Sequence, residues 1–187
     1  RSLQIRGTWP PWKPPLLLRS QCLGGLLDAW RLSGLQRRGI EVDAAALLQA
    51  QSACRDVILA AATAVDEQAY DALVDLFSED ATLMRPNGVA LQGRSEILAS
   101  YLLKDANRMT HHLVCNHQVE VLSSGKNAHS RCKVLLYVSD KNHTLTPQGR
   151  KAAAKHQVGT IEDALVLTAD GWKIQKRHAW FDVWVEA

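Results

Sequence analysis

Thr110-His111-His112-Leu113-Val114-Cys115-Asn116 is where the apolar period of this chain changes from helical to two. Alternation sends successive side chains to opposite faces of a strand, whereas a three-to-four spacing builds one stripe of a helix. After Asn107 the alternation persists, so four strands are expected over 111–122, 128–138, 155–168 and 172–184. Ser123-Ser124-Gly125-Lys126 and Ala169-Asp170-Gly171 supply tight turns between them. The polar, basic link over 140–154 reads as a longer mobile loop. Before the switch, the Ala- and Leu-rich run 44–64 predicts a long helix. Asp66 stands where it can cap a second helix over 67–77, whose Tyr70, Leu73, Val74 and Phe77 form one stripe. Segments 81–84 and 89–91 flank the turn signal Pro86-Asn87-Gly88 and predict a small hairpin. Ser95 is expected to cap a third helix through Leu103, with Glu96 in its first turn. Three helices followed by a curved antiparallel sheet is an α+β plan. Helices laid on one face of such a sheet enclose a cone, and a cone open at one end is a pocket.

The first 45 residues differ in kind from the rest. They hold Pro10, Pro11, Pro14 and Pro15, together with Trp9, Trp12 and Trp30. Residues 1–40 carry seven basic side chains against the single acid Asp28, while the remainder carries fifteen basic against eighteen acidic. The net charge of +3 therefore belongs to the leading segment, and the globular part is mildly acidic. That balance argues against a nucleic-acid surface. We read 1–45 as a basic, Pro- and Trp-containing extension, with a short helix over 23–35, and 46–187 as one domain. Cys22, Cys54, Cys115 and Cys132 form no C-x-x-C pair and no disulfide spacing, which suits reduced thiols in a cytoplasmic protein. No apolar run is long enough for a membrane span.

Six fragments carry a resemblance. They are Ala64-Val65-Asp66-Glu67-Gln68-Ala69-Tyr70-Asp71-Ala72-Leu73, Leu76-Phe77-Ser78-Glu79-Asp80-Ala81, Leu91-Gln92-Gly93-Arg94-Ser95-Glu96-Ile97, the opening stretch, Gly159-x-Ile161-x-Asp163 and Trp172-x-Ile174-x-x-Arg177. In this order the chain, over about residues 50–184, resembles the nuclear transport factor 2-like superfamily, and within it the SnoaL-like group. That group includes scytalone dehydratase, bile-acid dehydratases, polyketide cyclases and the small subunits of ring-hydroxylating dioxygenases. The resemblance implies a cystatin-like α+β roll. It also implies a catalytic aspartate ending the first helix and a histidine beginning the third strand, which fall on Asp66 and His112. The tyrosines that assist scytalone dehydratase are not kept: Val65, Met84 or Arg85, and Ile161 stand at those positions.

Alternation places His112, Val114 and Asn116 on one face and His111, Leu113, Cys115 and His117 on the other. The family pattern assigns the first set to the pocket. An Asp66 carboxylate accepting from one ring nitrogen of His112 fixes the tautomer and leaves the other nitrogen as a base. The plainer alternative is a helix-capping Asp66 beside a satisfied buried His112. Asp163 and Arg177, on the last two strands, are either a substrate-positioning pair or a cross-strand structural one. Tyr101 and Tyr137 are the phenols left to stand in for the missing ones. Trp180 and Trp184 are expected on the outer face of the sheet, at a subunit contact.

A zinc site from His111, His112 and His117 fails on geometry, since the first two point to opposite faces, so no metal is expected. No Gly-rich phosphate loop and no Gly-x-Ser-x-Gly elbow is present, and no cofactor is expected. The sequence thus leads to two expectations. The first is a cofactor-free lyase or isomerase acting on a small apolar, polycyclic or aromatic molecule, with His112 and Asp66 catalytic and Arg177, Asp163, Asn116, Tyr101 and Tyr137 binding substrate. The second is a non-catalytic ligand-binding or assembly subunit of the dioxygenase small-subunit type, copurifying with a larger iron-containing partner. Either is expected as a homodimer or homotrimer, without nucleic acid or membrane partners.

Overall fold

The computed structural model describes residues 43–186. The extension expected over 1–45, with its 23–35 helix, lies outside the described residues except for its last three positions. The elements run α1 (Ala44–Asp66), α2 (Tyr70–Asp75), β1 (Phe77–Met84), β2 (Ala90–Gln92), α3 (Gly93–Leu102), β3 (Arg108–Val121), β4 (Asn127–Asp140), β5 (Lys155–Thr168) and β6 (Gly171–Glu186). No helix among the described residues is long and apolar enough to cross a membrane.

The first helix begins where Asp43 accepts a hydrogen bond from the Ala45 amide at 3.0 Å. Its buried stripe is Cys54, Ile58, Ala61 and Ala64, a spacing that keeps one face on the sheet. The small alanines let the helix axis approach the strands closely. Asp66 is its last residue, not the cap of the next helix. The chain reverses through Gln68, held at φ 59°, and the Gln68 side chain donates to the Arg108 carbonyl at 2.8 Å. This reversal delays α2 to Tyr70, whose preceding residue Ala69 makes no side-chain capping bond. The expected 67–77 helix is cut short at its far end as well. Phe77 is fully buried and opens β1, because the Ile174 amide donates to the Leu76 carbonyl at 2.8 Å and draws the chain alongside β6. Likewise Ser95 does not cap α3: that helix starts at Gly93, and the Glu96 carboxylate reaches back to the Gln92 amide.

One six-stranded sheet has the order β2-β1-β6-β5-β4-β3. The β1–β6 pair is parallel and the other four are antiparallel. Register shifts interrupt β3 between Cys115 and Gln118, and β6 twice, with Asp182 the extra residue opposite Val158/Gly159 and Gln175 the extra residue opposite Ala164/Leu165. Such bulges bend a strand and add local twist. They curve the sheet around α1, so that Ile58, Ala61, Phe77, Ile97, Leu165 and Ile174 close a core at one end and leave the other end open. The 140–154 link is pinned: Lys141 donates to the Gln68 side chain at 2.9 Å and the Ala106 carbonyl at 2.8 Å. Cys54 and Cys132 are buried, which pushes their thiols up to about 11 and about 12, whereas Cys115 is exposed; all three are free.

Gly159 is required by close approach. A Cβ there would sit 2.5 Å from the Trp180 carbonyl oxygen and 3.2 Å from the Phe181 ring. The first distance involves backbone and cannot be relieved by a rotamer change. Gly159→Ala is therefore expected to lower stability by about 1–3 kcal/mol, read as a drop in Tm; an unchanged Tm would mean that the bulge relaxes freely.

Candidate active site

The end of α1 and the start of β3 meet through one carboxylate. Asp66 Oδ2 accepts from the His112 backbone amide at 2.7 Å, and Oδ1 lies 2.5 Å from His112 Nδ1. The two groups are 46 positions apart in sequence. The two-point contact fixes both the ring's position and the nitrogen that faces Asp66. Burial works to raise the Asp66 carboxyl, but hydrogen bonds from the His112 ring and amide, the histidine's charge and the Thr110 hydroxyl overcome it and hold the group below its ordinary value. Asp66 is therefore an anion at neutral pH. It places its proton-accepting edge on Nδ1, and Nε2 remains for the cavity that His112 lines. The capping alternative for Asp66 is excluded by this geometry.

The cavity encloses about 440 Å³ between α1 and the concave face of the sheet. Ile58, Val65, Leu83, Val114, Val134 and Leu136 give it an apolar body, of a size suited to a small organic molecule. Tyr101 lines it, as expected, and stacks on Tyr70 with ring centroids 5.3 Å apart. Val65 lines it too, so the phenol absent from the sequence at that position is absent from the wall. Trp180 borders it with its backbone only, while its side chain lies on the outer face as expected: the indole N–H donates to Asp182 at 2.9 Å and the ring stacks on His178; Trp184 is 56% exposed. The extra residue Asp182 in β6 changes the parity of the strand, so Trp184, paired with Gln157, falls on the face opposite Trp180.

Arg177 lines the cavity from behind. Its Nε donates to Asp163 Oδ1 at 2.7 Å and its Nη2 to Oδ2 at 3.2 Å. Asp163 is 1% exposed and is not part of the cavity wall. Burial works against the guanidinium charge, and the Asp163 charge and hydrogen bonds overcome it, raising Arg177 above its ordinary value. Asp163 thus holds the guanidinium fork from behind, and Arg177 meets the cavity.

Two expected binding residues lie elsewhere. Asn116 is exposed and sits in the β3 bulge at φ 50°, a left-handed conformation that Asn tolerates. The extra residue reverses the alternation, so His117 turns inward and hydrogen-bonds Ser130 Oγ at 2.8 Å. Tyr137 pairs with His111 across β3 and β4, which puts it on the outer face, where it stacks on His156. The sequence reading also passed over Arg85, Lys104 and Arg108, three cations in the cavity wall. Burial together with the Arg85 and Arg108 charges pushes Lys104 down to about 8. Arg85 falls at or next to a position that the resemblance gives to a tyrosine, whereas Lys104, just past α3, and Arg108, the first residue of β3, stand where a lone charge ordinarily faces water. Among the described residues no group of three or more potential metal ligands occurs.

A family model described as "SnoaL-like domain" matches residues 46–178. Among solved structures, the chain is similar to a putative scytalone dehydratase from Novosphingobium aromaticivorans, at 18% identity and TM-score 0.61, over 73% of this chain and 86% of that one. It is similar to a protein from the same organism described as nuclear transport factor 2-like with a cystatin-like fold, at 20% identity and TM-score 0.59, over 73% and 84%. A hexachlorocyclohexane dehydrochlorinase matches at 14% identity and TM-score 0.64, over 76% and 92%. These likenesses establish the nuclear transport factor 2-like, cystatin-like α+β architecture. A comparison with proteins of curated function gives no match.

Burial, with the charges of Arg55 and Arg177, holds His117 below its ordinary value of 6.5. The unfolded chain then binds a proton at this position more readily than the folded one, so stability falls as pH drops from 6.5 towards the folded value. Asp66 acts in a separate window, because a lowered carboxyl stabilises above 3.8 and is lost only below it. Between pH 7.5 and 5.5 the Tm of the wild type should decline more steeply than that of His117→Gln. Parallel curves would contradict the assignment of His117 as a buried neutral ring.

Proposed function

The chain belongs to the SnoaL-like domain family, and from that premise we propose that it is a lyase or isomerase that moves a proton on a small apolar molecule. The observation that carries this reading is the two-point grip of Asp66 on His112 at the wall of an apolar cavity. A carboxylate that holds Nδ1–H presents Nε2 as the base and stabilises the imidazolium formed when that base takes a proton. Apolar surroundings exclude water from the developing charge and strengthen each remaining electrostatic contact.

In this mechanism Nε2 of His112 removes a proton from the carbon next to a substrate carbonyl. The C–H electron pair moves towards the carbonyl oxygen, where the guanidinium of Arg177, held by Asp163, receives the negative charge. For a double-bond shift, the imidazolium returns the proton to a carbon further along the conjugated system. For dehydration, the electrons form the new double bond as a hydroxyl leaves, and the imidazolium supplies the proton that makes it water. The names of two similar structures, a dehydratase and a dehydrochlorinase, denote eliminations, which supports the same class here.

Proton exchange offers a test without knowledge of the natural substrate. In D₂O the wild type should accelerate deuterium entry next to the carbonyl of a bicyclic ketone such as 2-tetralone, followed by NMR. His112→Ala and Asp66→Asn should each reduce that acceleration by about 10²–10⁴-fold, with near-native circular dichroism. Full exchange activity in folded His112→Ala would remove the histidine from the mechanism.

A further inference from the structure

Among the described residues, three of the four cations lining the cavity form no salt bridge. Arg177 is paired with Asp163, but among the described residues Arg85, Lys104 and Arg108 have no carboxylate within salt-bridge distance. Asp66 is taken by His112, and Asp105 accepts from the Asn107 amide. Among the described residues no aspartate or glutamate lines the cavity. The Nη2 of Arg85 is buried and has no hydrogen-bond partner. The Cζ of Arg85 lies 4.6 Å from the centroid of the Tyr101 ring, and the Nζ of Lys104 lies 4.1 Å from it. Two like charges thus share one aromatic ring, whose π electrons offset only part of their repulsion.

A protein that packs unpaired cations around a cavity gives up stability, and a buried donor without a partner adds a further cost. Both costs disappear when an anion occupies the space between them. We propose that Arg85, Lys104 and Arg108 form an oxyanion subsite of the cavity, and that its ligand is an apolar molecule bearing a carboxylate. This rests on the reading of the cavity as the substrate pocket, and it narrows the substrate class. The apolar wall of Ile58, Val65, Leu83, Val114, Val134 and Leu136 takes the body of the molecule. The guanidinium of Arg85 forks onto the carboxylate oxygens, and Lys104 and Arg108 add charge-assisted donors. The subsite also orients the molecule: anchoring the anion among these three leaves the carbon body to meet His112 and Arg177. Lys104, already pushed down to about 8 by burial and its cationic neighbours, regains its full charge beside such a ligand.

The test is binding of 2-naphthoate against its isosteric neutral amide, 2-naphthamide, by isothermal titration at pH 7 and low salt. The two probes share one apolar body and differ in one charge. The wild type should bind the carboxylate at least tenfold more tightly. Arg85→Gln, Lys104→Met and Arg108→Gln should each weaken naphthoate by about three- to tenfold while leaving naphthamide within twofold, which also reports an intact cavity. Absent naphthoate binding, equal affinity for the two probes, or a naphthoate preference untouched by these substitutions would overturn the subsite. Because the measurement involves no turnover, it can be repeated on His112→Ala. Naphthoate preference retained there separates a failure of the proton-transfer reading from a failure of this one.

Discussion

The carboxylate of Asp66 joins the last turn of α1 to the first half of β3, and the rest of the site depends on that junction. One oxygen holds a backbone amide and the other a ring nitrogen of the same residue, so the helix end, the strand and the imidazole are fixed relative to one another. A half-buried carboxylate bears a desolvation cost, which charge-assisted hydrogen bonds at 2.5 and 2.7 Å offset. The reversal at Gln68 serves the same end. Had the chain continued into a second helix directly, Asp66 would have been spent on capping amides and His112 would have had no partner.

The curvature of the sheet supplies the remaining constraint. A flat sheet would press all of its inner side chains onto α1. The bulges in β3 and β6 instead divide the interior into a packed end around Phe77, Leu165 and Ile174 and an open end around His112 and Arg177. Gly159 permits this because the Trp180 carbonyl occupies the place of a side chain. The cavity wall then combines an apolar body with charges held from outside it: Asp66 behind His112, and Asp163 behind Arg177. In each case the residue that meets the cavity is cationic or basic and its orienting carboxylate is hidden.

Much of this was legible in the chain. The change from helical to alternating period after Asn107 identifies the four long strands, and the position of Asp66 relative to the motif fragments brings it to His112. Asn116 escaped the reading because a bulge reverses every later face, and a single left-handed residue in a strand leaves no periodic signal. Tyr137 was assignable only with the register in hand, since pairing His112 with Leu136 sends Tyr137 outward. Arg85, Lys104 and Arg108 come from three different element ends, and nothing short of the tertiary fold brings them to one wall. Helix boundaries shifted for a comparable reason: a long-range bond from Ile174 to Leu76 outweighed the local stripe that ran on to Phe77.

The central claim is that Asp66 selects one nitrogen of His112 and leaves the other for chemistry. Long-range ¹H–¹⁵N correlation of the histidine rings reads this directly in the neutral form of the side chain. The account predicts that His112 carries its proton on Nδ1, with that proton far downfield and Nε2 bare, and that Asp66→Asn removes the downfield signal. A His112 ring protonated on Nε2, or one whose tautomer is unchanged by Asp66→Asn, would contradict it.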